Sequence, residues 1–143
     1  MDEEIIGQDV CFAGACPACG RNVPCSGGQT LVGHRLHWGI ESNCSGCGPA
    51  SICGRDDLPA DLRTRLLAEH GSARLEITGG DLPSVAVMKI IRSETGATLP
   101  EAKAIMCDIK SGRYAGTGPE IERLARILRL AGVDAHALGP SAH

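Results

Sequence analysis

The residues best equipped for chemistry are the cysteines. The chain holds eight, and seven of them (Cys11, Cys16, Cys19, Cys25, Cys44, Cys47 and Cys53) precede Gly54. Four form two matching runs, Cys16-Pro-Ala-Cys19-Gly20 and Cys44-Ser-Gly-Cys47-Gly48. Thiolates three positions apart can grip one ion if the backbone between them turns tightly, and the glycine after each pair eases that turn. Two such knuckles complete the tetrahedral thiolate set that zinc prefers, with Zn–S bonds of about 2.3 Å. The expected cofactor is Zn2+, and the expected ligands are Cys16, Cys19, Cys44 and Cys47. An iron–sulfur cluster or disulfides would use the same thiols. Cys16-Pro-Ala-Cys19 also has the spacing of a redox dithiol, but such a motif belongs between a strand and a helix, and the flanks here read as loops. Cys11, Cys25 and Cys53, with His34 and His37, either build a second metal site or serve as small apolar groups and solvated rings. A catalytic zinc would keep an open position beside a general base, and no such base stands near the knuckles.

The elements that must position these thiols follow from the pattern between them. The 24 residues separating Cys19 from Cys44 suit a β-hairpin. Leu36, Trp38 and Ile40 alternate with other residues on one arm, and Gly33 supplies the turn. Two knuckles closing a hairpin resemble a zinc ribbon, a family defined by little more than that arrangement. Arg55–Gly71 reads as a short connecting helix, with Leu58, Leu62, Leu66 and Leu67 on one stripe and Gly71 as its stop. The domains expected are thus a cysteine module over 1–54, a connecting helix over 55–71, an α/β domain over 72–138 and a tail over 139–143.

From Ser72 onward the pattern is strand, three helices, strand. Ala73, Leu75 and Ile77 alternate before a turn at Gly79-Gly80. Residues 82–95 form a helix rich in apolar side chains, expected at the centre of its domain. Thr98-Leu-Pro-Glu101 and Thr117-Gly-Pro-Glu120 both fit a capping box, which predicts two further helix starts. Leu99, Ala102, Met106 and Ile109 share a face of the first helix; Ile121, Leu124, Ala125, Leu128 and Ala131 share a face of the second, which Gly132 ends. Val133–Leu138 is expected as a last strand beside residues 73–78. The fold class is α+β, a β module followed by three helices on a small sheet.

Val85-Ala-Val-Met-Lys-Ile-Ile-Arg92 continues into Ser-Glu-Thr-Gly-Ala-Thr-Leu-Pro-Glu-Ala-Lys103. This stretch resembles the C-terminal domain of the ribosomal stalk protein L7/L12, and Leu130-Ala-Gly-Val133 falls near that family's last strand. The resemblance spans Ala73–Leu138 and implies a small α/β sandwich. It also implies a surface that recruits protein partners, onto which Val85, Lys89, Arg92 and Lys103 map. Other lysines of that surface are replaced by Ser84 and Pro100, and the family's dimerising helices and hinge are absent. Lys103–Arg113 loosely resembles the protease adaptor ClpS, which shares the fold, although Asp81 is its only candidate contact.

Composition narrows the functions. The formal net charge is -3, and residues 1–54 hold five acids against two bases. With no basic stripe, and only Phe12, Trp38 and Tyr114 as aromatics, neither phosphate attraction nor base stacking has a footprint. Met1–Gln8 lacks the basic start and apolar stretch of a secretory signal. No apolar run approaches the ~18 residues of a membrane span. A cytoplasmic location is expected, where metal binding explains cysteines better than disulfides do. The expected function is a non-catalytic, zinc-binding adaptor that engages a protein partner. The alternatives are an immunity or regulatory protein that neutralises a toxin or enzyme, and a zinc-ribbon protein that binds nucleic acid.

Overall fold

The computed structural model describes residues 4–78 and 84–139. The chain is a mixed α+β protein that divides into two compact units between His70 and Gly71. Among the described residues, no helix is long and apolar enough to cross a membrane.

The first unit is an antiparallel meander of four strands: β1 (Ile6–Ala15), β2 (Asn22–Val32), β3 (Arg35–Cys44) and β4 (Gly48–Arg55), in that spatial order. The expected hairpin is β2–β3, which turns at Gly33 (φ 63). Period-two alternation puts Val23, Cys25, Gly27, Gln29 and Leu31 of β2 on the buried face. In register with them, Phe12 lies opposite Cys25, Val10 opposite Gly27, Ile40 opposite Gly27 and Trp38 opposite Gln29.

The helix expected over 55–71 is α1 (Ala60–His70). It belongs to the first unit and seals the sheet: Leu62 and Leu66 are 1% and 0% exposed and pack with Val10, Phe12, Trp38 and Ile40. Burying each leucine contributes about 1.5–3 kcal/mol. The close approach needs Gly27, where a side-chain carbon would sit 2.7 Å from Leu62 Cδ1. His70 anchors the last turn, with Nε2 2.8 Å from the Asp9 carbonyl oxygen.

The second unit runs β5 (Ala73–Ile77), α2 (Ser84–Thr95), α3 (Leu99–Lys110), β6 (Ala115–Gly116), α4 (Gly118–Leu130) and β7 (Ala135–Leu138). The sheet order is β6-β5-β7, all antiparallel. The last strand pairs as expected, Arg74 with Leu138 through Ile77 with Ala135. The two-residue β6 is an addition to the expected strand, three helices, strand. Both capping boxes form: the Thr98 and Thr117 amides donate to Glu101 and Glu120 Oε1 at 2.8 and 3.0 Å. Thr98's amide and hydroxyl in turn hold the Glu101 carboxyl below its usual range.

The central helix is α4 rather than α2. α4 buries Ile121, Leu124, Ala125, Arg126 and Leu128 and packs on β5, β7 and α2. α2 fully buries only Val87 and Ile91, while Val85 is 79% exposed. Similarly Leu99 and Ala131 lie at the surface, off the buried faces of their helices. The Gly79-Gly80 turn, Asp81 and residues 82–83 lie outside the described residues, as do 1–3 and 140–143.

Candidate metal centre

In a meander the first and third turns fall at the same end of the sheet. The β1–β2 turn carries Cys16 and Cys19, while Cys44 ends β3 and Cys47 lies on the β3–β4 turn; Gly33 turns the chain at the opposite end. The topology therefore brings together two knuckles that are 24 residues apart in sequence. Within the first, the Gly20 amide donates to the Cys16 carbonyl and the Cys16 amide to the Arg21 carbonyl, both at 2.8 Å. Gly20 (φ 76) and Gly48 (φ 89) take the left-handed backbone that each knuckle requires, at no steric cost for glycine.

The Sγ atoms of Cys16, Cys19, Cys44 and Cys47 all lie within 4.8 Å of one another. Cys19 and Cys44 are 3.8 Å apart. A tetrahedron with bonds of about 2.3 Å has edges of about 3.8 Å, so these sulfurs stand near the separation that one tetrahedral ion demands. Cys16 and Cys44 are buried, whereas Cys19 and Cys47 face solvent.

Backbone dipoles prepare the site for anionic sulfur. The amides of Cys47 and Gly46 lower the Cys44 thiol to about 6. Those of Cys19 and Ala18 lower Cys16. Cys47 moves the other way, to about 12, chiefly through its hydrogen bonds to the sulfurs of Cys19, Cys44 and Cys16. Among the four thiols the cluster thus favours negative charge on Cys44 and the proton on Cys47.

The residues that offered an alternative second site do not converge. Cys11 lies opposite Ser26, Cys25 opposite Phe12, Cys53 opposite Gly39, and His37 opposite Thr30 and Arg55. His34 occupies the β2–β3 turn. Among the described residues, the four knuckle cysteines are the one group of three or more that could hold a metal ion. Cys25 takes the blander role: buried, it packs with Cys16, Val23 and Cys44 in a small core under Phe12.

Lys89, Arg92 and Lys103 are exposed, as is Val85. Val85, Lys89 and Arg92 follow one stripe of α2, and Lys103 lies on α3, which packs beside it. Arg92 Nε reaches the Ala97 carbonyl at 3.4 Å.

Sequence reasoning missed three arginines. Arg126 is 2% exposed and donates to Glu122 Oε2 at 3.0 Å; Arg129 donates to the same oxygen and to the Ala135 carbonyl. The Glu122/Arg126 spacing of four was the available signal. The third is Arg21, whose guanidinium lies against Gly46 of the Cys44–Cys47 turn, its Nη2 3.6 Å from where a side-chain carbon there would stand.

Comparison with protein-family models, curated proteins and solved structures gave no match. Fold and site define a mixed α+β protein with a four-cysteine cluster able to hold a metal ion.

Proposed function

We propose that this chain is a non-catalytic zinc-binding adaptor. Zn2+ on Cys16, Cys19, Cys44 and Cys47 would clamp one end of the first unit's sheet, and the second unit would engage a protein partner through Val85, Lys89, Arg92 and Lys103. The observation that carries the reading is the gathering of four thiols within 4.8 Å on two turns. Sulfurs this close suit a single ion, since a multi-iron cluster attaches its thiolates to different irons and holds them farther apart. Four protein ligands fill a tetrahedral shell and leave no position for substrate, which favours a structural ion over a catalytic one.

The partner half rests on the resemblance to the L7/L12 C-terminal domain together with the exposure of the four side chains. Val85, 79% exposed on a helix whose other valine is fully buried, has no packing role that explains it. It would serve as the apolar centre of a contact rimmed by cations, an arrangement common in interfaces.

Charge reversal tests this half. Lys89→Glu with Arg92→Glu should leave the melting temperature unchanged, because exposed substitutions away from packing shift stability by only about 0.5 kcal/mol. Partner capture from the native cell should fall markedly, since a lost charged contact can cost ~2–5 kcal/mol when its mate is left buried. Equal capture by wild type and double variant, at equal melting temperature, rules this face out.

A further inference from the structure

A tetrathiolate site that has taken up Zn2+ carries a net charge of about −2, which the surrounding protein must offset. Of residues 4–54 only Arg21 and Arg35 are strongly basic. Arg35 begins the ten-residue β3 that ends at Cys44, which places it about 30 Å away at ~3.3 Å per residue. Arg55 ends the eight-residue β4, whose first residue adjoins the second knuckle, and stands roughly 23 Å off by the same rise. Both distances exceed the screening length of about 8 Å at physiological salt.

Arg21 is differently placed. Its carbonyl accepts the Cys16 amide at 2.8 Å, which closes the first knuckle. Its guanidinium reaches across to the second: Nη2, Nη1 and Cζ stand 3.6, 3.7 and 3.8 Å from where a side-chain carbon on Gly46 would be. The guanidinium therefore lies against the glycine, at ordinary van der Waals distance from a side-chain carbon placed there. Gly46 is one of the two residues whose amides hydrogen-bond the Cys44 sulfur.

We propose that Arg21 is a positioning residue of the metal centre, joining the two knuckles and offsetting the surplus negative charge, so that it governs how tightly Zn2+ is held and how fast it leaves. The proposal rests on the zinc reading and adds a residue outside the ligand set. Because the Arg21 side chain is exposed, its contribution is electrostatic and sensitive to salt, and neutralising it leaves the carbonyl bond to Cys16 in place.

The test uses the full chain and Zn2+ itself, measuring affinity and release rate against a chromophoric chelator at low and high salt. At low salt Arg21→Gln should weaken binding roughly three- to tenfold, the size expected of one charge acting on two across a solvent-exposed gap. Arg21→Lys should retain most of the affinity. Near 1 M salt, where the screening length falls to about 3 Å, the differences should shrink. Unchanged affinity in Arg21→Gln at low salt overturns the proposal. So does a loss that persists at high salt and is not rescued by lysine, which would make Arg21 a packing residue. A wild-type chain that takes up no Zn2+ instead contradicts the zinc reading itself.

Discussion

Cys44 and Cys47 belong to one knuckle yet ionise at opposite ends of the thiol range, and the difference comes from what each sulfur bonds to. Cys44 receives backbone amides from Gly46 and Cys47, which bring it to about 6, whereas Cys47 shares hydrogen bonds with three sulfurs and rises to about 12. Depression of Cys44 stabilises the metal-free fold above the thiol's ordinary value near 9, and that stabilisation disappears as pH falls through about 6. Elevation of Cys47 works oppositely, favouring the fold below 9 and ceasing to do so as pH rises through about 12. Metal uptake requires every ligand as thiolate. At pH 7.5 Cys44 is already ionised and Cys47 is not, so Zn2+ should displace fewer than four protons, with Cys47 among their sources. Calorimetry in buffers of different ionisation enthalpy counts them. Release of a full four would mean that the turn amides do not hold Cys44 as an anion, and affinity should in any case fall on acidification as protons compete for sulfur.

The elements divide by how locally they are determined. α4 begins at a closed capping box: the Glu120 amide donates to Thr117 Oγ1 at 3.2 Å while the Thr117 amide donates to Glu120 Oε1 at 3.0 Å. Thr117 is fully buried, so its loss is not made good by water. Thr117→Ala should destabilise the second unit by about 1–2 kcal/mol, the upper part of the range for caps. Urea unfolding measures this, and a change under a few tenths would show that the cap is not what starts the helix. Such signals are local, and the sequence made them readable: both boxes, the leucine stripe of α1 and the hairpin around Gly33 rest on residues within a few positions of one another. β1 and β4 were not readable in the same way. β4, Gly-Pro-Ala-Ser-Ile-Cys-Gly-Arg, has one β-branched residue and becomes a strand because β3 offers it a partner in register, a tertiary effect on weak propensity. β6 is two residues long and carries no period at all. The prominence of α2 in the sequence misled for a related reason: a dense apolar run states hydrophobicity, not which side is covered, and Val85 is left outside.

For the whole molecule, the sequence showed which thiols belong together because the knuckles repeat, but not the meander that makes them meet. Nor could it show that Cys25 packs beneath the site while Cys11 and Cys53 stay exposed on separate strands, since register decides that. The two units also differ in what holds them. The second has a continuous core from Ala73 to Ala135, including Val87, Ile91, Met106 and Leu128. The first splits its apolar groups between a cluster under α1 and a small one of Cys16, Val23, Cys25 and Cys44. The knuckle end of that sheet thus has little apolar burial of its own, and on the proposed reading it would draw its stability from a bound ion, whose binding can supply on the order of 10 kcal/mol. The most direct test is elemental analysis of the purified chain, followed by chelation while the amide spectrum of each unit is monitored. One zinc per chain is expected, with chelation or Cys47→Ser collapsing the resonances of residues 4–70 while those of 84–139 persist. A chain free of metal, or one whose first unit is unchanged when its zinc is withdrawn, would contradict the account.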